Sequence, residues 1–186
     1  MDHRDDHELV AAANAGDRGA FDALYARHRD WTLGLAGRHT GDEELALDVM
    51  QDAWLWLLRK FPGFELRAHV KSVLYPVVVH LARDARARRR TRRAMRLDAA
   101  AAAEPAAATP ERTGDDAART ANALAAAIDR LPPETRDALI LRYVDELSLA
   151  DISVALQIPV GTVKSRLHNG LRRLRENSGL QSSELP

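Results

Sequence analysis

The sequence predicts an all-α fold in which a flexible linker joins two helical domains, the C-terminal one a helix-turn-helix. Apolar residues recur at spacings of three and four in both halves of the chain, as on the buried faces of amphipathic helices. Only the β-branched run Val77–Val79 favours a strand on its own. Between residues 98 and 120 no apolar side chain is larger than Ala, so this segment has nothing to bury in a core.

The composition is that of a globular protein without disulfides. The 186 residues suffice for one or two domains, and 46% are hydrophobic and 29% charged. The absence of Cys excludes disulfides, thiolate metal sites and cysteine nucleophiles. No apolar run approaches the roughly 20 residues of a membrane span, and the acidic N-terminus is unlike a signal peptide. We therefore expect a cytoplasmic protein with no membrane insertion.

Four helices are predicted before the linker, in a domain of residues 1–97. The first covers about 6–15, and Asp17 is the expected N-cap of the second. The third runs from about Asp42 to Phe61, where Pro62-Gly63 ends it. The fourth starts near Leu66, and Pro76 inside it predicts a kink. Its expected buried stripe consists of Val70, Val73, Leu74, Val77, Val78 and Leu81.

After the linker of residues 98–120, we predict a domain of residues 121–180. Helices are expected over about 120–130 and 133–144, separated by a break at Leu131-Pro132-Pro133. Ser148 and Asp151 have the spacing of a capping box that opens a short helix. A final helix over about 160–176 follows the turn 157–159. The expected inward residues are Leu149, Ile152, Leu156, Val163, Leu167, Leu171 and Leu174.

The zero net charge hides a strong segregation of charge along the chain. Residues 83–96 contain eight Arg and one Asp, and residues 159–186 contain five basic and two acidic side chains. The rest of the chain is acidic. Two separate basic segments indicate two contacts with a polyanion, although either run alone is also typical of a solvated helix face.

The short helix, tight turn and longer helix over residues 148–176 match a helix-turn-helix that binds DNA. The polar face of the last helix offers side chains suited to phosphates and base edges, which are Thr162, Lys164, Ser165, Arg166, His168, Asn169, Arg172 and Arg173. The string from Gly161 to Leu167 (GTVKSRL) resembles region 4 of bacterial extracytoplasmic-function (ECF) sigma factors. This resemblance implies that the last helix reads the −35 promoter element.

The third predicted helix has an acidic stripe around an apolar centre, which suits a basic partner helix. Its members are Glu44, Asp48, Gln51, Asp52 and Leu55. An ordinary solvated face has the same pattern. The segment from Asp48 to Leu58 resembles sigma region 2.2, which implies that this stripe binds core RNA polymerase. Trp54 and Trp56 cannot share one helix face, so we expect at least one of them in the core.

The arginine-rich segment resembles sigma regions 2.3 and 2.4, which open and read the −10 element. The resemblance implies DNA contacts by His80, Arg83, Arg86, Arg88, Arg89 and Arg90. It also implies that the preceding loop, at about residues 62–69, holds a base taken out of the stack. The chain departs from the family at Val73, Pro76 and His80, where an aromatic residue, a basic residue and Asn are usual.

No catalytic motif is recognisable, so we expect neither enzymatic activity nor a cofactor. The histidines and aspartates at residues 3–7 suit adventitious metal binding at most. The expected function is that of an alternative sigma factor whose partners are core RNA polymerase, promoter DNA and an anti-sigma factor. The alternatives are a degenerate sigma-like interaction protein or a helix-turn-helix regulator, neither of which melts promoters.

Overall fold

The computed structural model describes residues 2–97 and 125–177, and every regular element in these ranges is an α-helix. The prediction of an all-α fold is confirmed. The predicted linker of residues 98–120 lies outside the described residues. The chain divides into two compact units, one containing the four N-terminal helices and one containing most of the C-terminal helices. Within the described ranges, no helix is long and apolar enough to cross a bilayer.

The first unit consists of α1 (Asp6–Asn14), α2 (Arg18–Thr40), α3 (Glu43–Leu58) and α4 (Val70–Leu97). An aspartate caps each of the first three helices: Asp5, Asp17 and Asp42 each accept a backbone N–H from the residue three positions on. The predicted N-cap at Asp17 is confirmed. Gly41 ends α2 in the left-handed conformation at φ 67°, where glycine has no steric penalty.

The core of the first unit is apolar and built around Trp54. This ring meets Phe21 and Tyr25 edge-on, at centroid distances of 6.0 and 5.2 Å. The expectation that one of the two tryptophans belongs to the core is confirmed by Trp54, which is 4% exposed. The other buried residues of this cluster are Leu9, Val10, Ala20, Leu24, Met50, Leu57, Val70 and Leu74.

Two side chains of α2 hold Asp6 of α1. Asp6 accepts hydrogen bonds from Arg27 Nη1 at 2.7 Å and lies 2.8 Å from His28 Nε2. Burial alone would raise the pKa of Asp6, but the hydrogen bonds and charges of His28 and Arg27 outweigh it and hold the pKa at about 2. The ionised carboxylate is therefore stabilised in the folded chain.

The boundaries and buried face of α4 differ from the prediction. The third helix ends at Leu58 rather than Phe61, and α4 begins at Val70 rather than near Leu66, because residues 59–69 form a loop around Gly63 at φ 108°. Pro76, where a kink is predicted, lies inside α4, and its neighbours Tyr75 and Val78 are buried. Val73, Val77 and Leu81 are only half-buried. The residues that face the core are Val70, Ser72, Leu74, Tyr75, Val78, Ala82 and Ala85.

The second unit contains helical residues 125–129, followed by α5 (Pro133–Tyr143), most of α6 (Leu149–Leu156) and α7 (Val160–Asn177). Ser148 opens α6 as predicted: its Oγ accepts the N–H of Asp151 at 3.1 Å and donates to the Asp151 carboxylate at 2.6 Å. Of the inward residues predicted for this unit, Ile152, Val163 and Leu167 are buried, and Leu149, Leu156, Leu171 and Leu174 are half-buried.

Helices α5 and α7 approach closely at Gly170. A Cβ atom there would lie 2.8 Å from both Leu139 Cδ1 and Thr135 Cγ2, a distance that real Cβ contacts do not tolerate. Glycine at this position lets the backbone of α7 pack directly against α5 side chains. The contact fixes which face of α7 is buried and leaves its polar face outward.

Candidate nucleic-acid and protein interfaces

The polar face of α7 is open to solvent. Val163 and Leu167 face the core of the second unit, and seven of the eight residues predicted to bind DNA are exposed. These seven are Thr162, Lys164, Ser165, His168, Asn169, Arg172 and Arg173. The face combines cationic groups for phosphates with amide and hydroxyl groups that can read base edges.

Arg166, the eighth predicted residue, is placed differently. Its Nη2 donates to Glu134 Oε2 at 2.5 Å, and the two side chains are 23% and 72% exposed. Glu134 lies in the first turn of α5, so this bond ties α5 to α7 one helical turn from Gly170. Sequence analysis did not find Glu134, because 32 residues separate it from Arg166 and no local spacing relates them.

All five residues of the predicted acidic stripe on α3 are exposed: Glu44, Asp48, Gln51, Asp52 and Leu55. Leu47 and Leu58 are also exposed, at 42% and 45%, beside Leu55 at 47%. Leu47, Leu55 and Leu58 follow the helical spacing that places residues on one side of a helix. The face therefore has a leucine edge as well as carboxylates. The spacing of Leu47 and Leu58 was visible in the sequence, but nothing local showed that they are exposed rather than buried.

The six residues predicted on α4 are exposed, but several have partners within the chain. Arg86 Nη1 donates to the carbonyl of His39 at 3.2 Å, and Arg89 forms an ion pair with Asp42. The hydrogen bond from Arg89, followed by that from the Leu45 N–H, lowers the pKa of Asp42. Arg86 and Arg89 thus attach α4 to the end of α2 and the start of α3.

The remaining predicted residues of α4 have looser surroundings. Arg83 Nη2 lies 3.0 Å from His80 Nδ1, and His80 Nε2 lies 3.3 Å from Asp84. In the part of the chain that the structure describes, Arg88 and Arg90 form no ion pair. These two guanidinium groups are thus free to bind a phosphate.

The acidic face of α3 and the arginine face of α4 meet in one cleft of about 820 Å³. Glu44, Asp48, Gln51 and Asp52 line its α3 side, and Arg88, Arg89, Arg92 and Arg93 line its α4 side. Two faces predicted to bind different partners therefore lie opposite each other. Arg92 and Arg93 belong to the arginine-rich segment but were not among the predicted site residues.

The loop between α3 and α4 is held by the side chain of Asn14. Asn14 Oδ1 accepts the backbone N–H of Gly63 at 2.7 Å and that of Phe64 at 3.1 Å. Asn14 Nδ2 donates to the Phe64 carbonyl at 2.9 Å. The Phe61 and Phe64 rings lie 5.4 Å apart and pack against the core. Sequence analysis did not single out Asn14.

The acidic N-terminus has structural roles. Asp5 caps α1 in a capping box with Glu8, and Asp6 pairs with Arg27 and His28. Within residues 2–97 and 125–177 there is no group of three or more His, Cys, Asp or Glu side chains suited to hold a metal ion. The aspartates of the N-terminal segment are thus engaged in folding contacts.

Comparison with solved structures supports the fold. The structure of CnrH in complex with the cytosolic domain of CnrY has a TM-score of 0.62 and 24% identity, and covers 95% of this chain and 99% of that one. The sigma factor RpoE of Bartonella quintana, in complex with the anti-sigma factor NepR, has a TM-score of 0.57 and 21% identity. It covers 87% of this chain and 98% of that one.

Comparison with sequences identifies the family. The model of sigma-70 region 2 matches residues 24–93, and that of sigma-70 region 4 matches residues 121–174. The ECF RNA polymerase sigma factor SigM of Mycobacterium tuberculosis is 37% identical over 171 residues, which cover 92% of this chain and 83% of the relative. SigW of Bacillus subtilis, also an ECF sigma factor, is 29% identical over 90% of this chain and 93% of its own length. The chain belongs to the family of ECF RNA polymerase sigma factors, and its function is that of an alternative sigma factor.

Proposed function

We propose that this sigma factor works through one protein-binding surface and two DNA-binding surfaces. A domain of residues 1–97 binds core RNA polymerase and opens the −10 element, and a domain of residues 121–180 reads the −35 element. Residues 98–120 join the two domains as a tether. In this role the chain is a binding subunit and not an enzyme.

The observation that carries the proposal is the exposed face of α3. Three solvent-exposed leucines lie beside the carboxylates of Glu44, Asp48 and Asp52 on one helix. An apolar edge flanked by charge of one sign suits a partner helix with an apolar stripe and basic flanks. The surface proposed for core polymerase is Glu44, Asp48, Gln51, Asp52 and Leu55, extended by Leu47 and Leu58.

The DNA-binding surfaces are proposed on α7, α4 and the loop between α3 and α4. The seven exposed polar residues of α7 suit the major groove at the −35 element, with Arg166 at their edge. His80, Arg83, Arg88 and Arg90 on α4, with Arg86 and Arg89 nearer the body of the domain, suit the −10 phosphates. The loop of residues 62–69 would hold an unstacked base.

An anti-sigma factor is the proposed regulatory partner. The RpoE structure of similar fold contains the anti-sigma factor NepR. The exposed leucines and carboxylates of α3 offer such a partner a surface that competes with polymerase.

Transcription with core polymerase tests the proposal. The chain and core polymerase are incubated with a random-sequence promoter library, and templates that give run-off transcripts are recovered. Recovery of templates that share −35 and −10 sequences is the expected result. If the chain co-purifies with core but no template is transcribed, it is a sigma-like interaction protein. If it binds DNA without core, it is a helix-turn-helix regulator.

Charge reversal tests the polymerase surface. Asp48→Lys with Asp52→Lys is expected to abolish co-purification with core, because like charges then face the partner. Glu43→Lys is the matched control, since Glu43 is exposed on the same helix but does not line the cleft with Asp48 and Asp52. Normal co-purification of the double variant would show that this face is only solvated.

A further inference from the structure

We propose that Asn14 is a positioning residue for promoter opening, because it holds the loop that receives the unstacked −10 base. The inference rests on the proposed role of residues 62–69. The observation behind it does not depend on that role. One side chain on α1 makes three hydrogen bonds to loop backbone that is about 50 residues away in sequence.

These three hydrogen bonds use both the acceptor oxygen and the donor NH₂ group of the Asn14 amide. The carbonyl oxygen accepts the N–H groups of Gly63 and Phe64, and the NH₂ group donates to the Phe64 carbonyl. An aspartate would keep the two acceptor bonds but lose the donor. Neither aspartate nor alanine reproduces the set, so the contact is specific to an amide side chain of this length.

Asn14 is itself held firmly. It is the last residue of α1, whose first turn is attached to α2 by the bonds of Asp6 to Arg27 and His28. The His28 ring also lies edge-on to His69 at the far end of the loop, at a centroid distance of 6.0 Å. Asn14 on α1 and His28 on α2 thus contact the loop at two separate places.

The loop alternates exposed residues with apolar residues that pack against the core. Pro62, Gly63, Glu65 and Arg67 are exposed, whereas Phe61 and Phe64 are half-buried against the core. Glu65 and Arg67 pair with each other at 2.5 Å rather than with the body of the domain. The bonds from Asn14 therefore hold the backbone at Gly63 and Phe64 together with the packing of Phe64 against the core. Fixing that backbone in advance lowers the conformational entropy lost when a base binds.

The test is a double-mutant cycle that combines substitution of Asn14 with removal of single bases from the promoter. Wild type and Asn14→Ala are assayed by run-off on a promoter recovered with wild-type holoenzyme. Each is also assayed on templates carrying an abasic nucleotide at each non-template −10 position in turn. Wild type should lose about tenfold at the position that the loop holds, which corresponds to a stacking contribution of about 1.4 kcal/mol.

For Asn14→Ala we expect about tenfold less transcript on the intact promoter and no further loss at that abasic position. A purely structural loss would be additive, with a second tenfold drop at the abasic position, and would overturn the inference. Unchanged transcription from the intact promoter would overturn it as well. His7→Ala is the control, since His7 is exposed on the same helix and its side chain forms no hydrogen bond or ion pair in the described residues.

Two further measurements separate the remaining outcomes. If Asn14→Ala no longer co-purifies with core, Asn14→Asp replaces it, and its loss should lie between those of wild type and Asn14→Ala. A loss for Asn14→Asp that is additive with the abasic site overturns the inference. Arg67→Ala tests the loop itself: if it and every abasic site leave transcription unchanged, the proposed role of the loop is wrong. If these changes lower transcription while Asn14→Ala does not, only the positioning role is wrong.

Discussion

Replacing Arg92 and Arg93 with Gln should strengthen the binding of this sigma factor to core polymerase in the absence of DNA. Both arginines line the cleft opposite Asp48 and Asp52, which belong to the surface proposed for polymerase. A basic partner helix attracted by those carboxylates meets the guanidinium groups across the same cleft. Removing two positive charges removes that repulsion and leaves the carboxylates in place.

The magnitude follows from Coulomb's law. Two unit charges about 10 Å apart in water interact by about 0.4 kcal/mol, so two arginines facing one partner cation contribute about 0.8 kcal/mol of repulsion. This corresponds to about a fourfold change in the dissociation constant at low ionic strength. At 1 M salt the Debye length is about 3 Å, and the difference should disappear.

The assay is a titration of fluorescently labelled chain with core polymerase, followed by anisotropy. Arg90→Gln is the matched control, because Arg90 is exposed on the same helix but does not line the cleft. Weaker binding of the double variant than of the Arg90→Gln control would show that Arg92 and Arg93 contact polymerase directly. Equal binding would show that the two walls of the cleft act independently.

Three further predictions concern stability and the α5–α7 contact. Gly170→Ala should lower the free energy of unfolding by about 1–2 kcal/mol, since strain at Leu139 and Thr135 exceeds the gain in helix propensity. Gly161→Ala, with no neighbour within 4 Å, should not lower it, as urea denaturation checks. Arg166→Ala and Lys164→Ala should both reduce run-off transcription without weakening polymerase binding. Only Arg166→Ala should show a coupling to Glu134→Ala, of about 0.5–1 kcal/mol in a double-mutant cycle of unfolding. Because the pKa of Asp6 is lowered to about 2 from 3.8, the stability that it contributes is complete above pH 4 and is lost as the pH falls from about 4 to 2. Asp6→Asn should therefore be less stable than wild type by about 1–2 kcal/mol at pH 7, after allowance for solvent screening, and the difference should shrink across that acid range in urea denaturation.

The elements whose signals are local were predictable from the sequence. Asp17 and Ser148 start helices because short polar side chains accept the unpaired N–H groups of the first turn, and both do so in the structure. The outward face of α3 followed from the spacing of its carboxylates. The start of α4 was predicted about four residues early, because the apolar residues of the loop mimic a helical stripe while packing as loop residues.

Contacts between residues that are distant in the sequence could not be predicted from it. Arg166 has the spacing of a solvent-exposed residue on α7, yet its guanidinium reaches Glu134 on α5. Asn14 has no motif around it, and its role depends on a loop about 50 residues away. Helical periodicity shows which face of a helix is apolar, but it does not show which neighbour that helix packs against.

The placement of Arg166 also changes what its position on α7, the helix proposed to read the −35 element, implies. A guanidinium has five N–H donors, and the bond to Glu134 involves only Nη2. The remaining donors are available to DNA from a side chain whose conformation is already restricted. The Glu134 carboxylate repels nearby DNA phosphates, so it weakens binding to DNA of any sequence. By holding Arg166 in one conformation, it also favours base pairs whose acceptor atoms match that conformation. Glu134→Gln should accordingly increase affinity for random-sequence duplex DNA and broaden the −35 sequences recovered with holoenzyme. A variant that binds random DNA like wild type and recovers the same −35 sequence would show that the bond serves only to join α5 to α7.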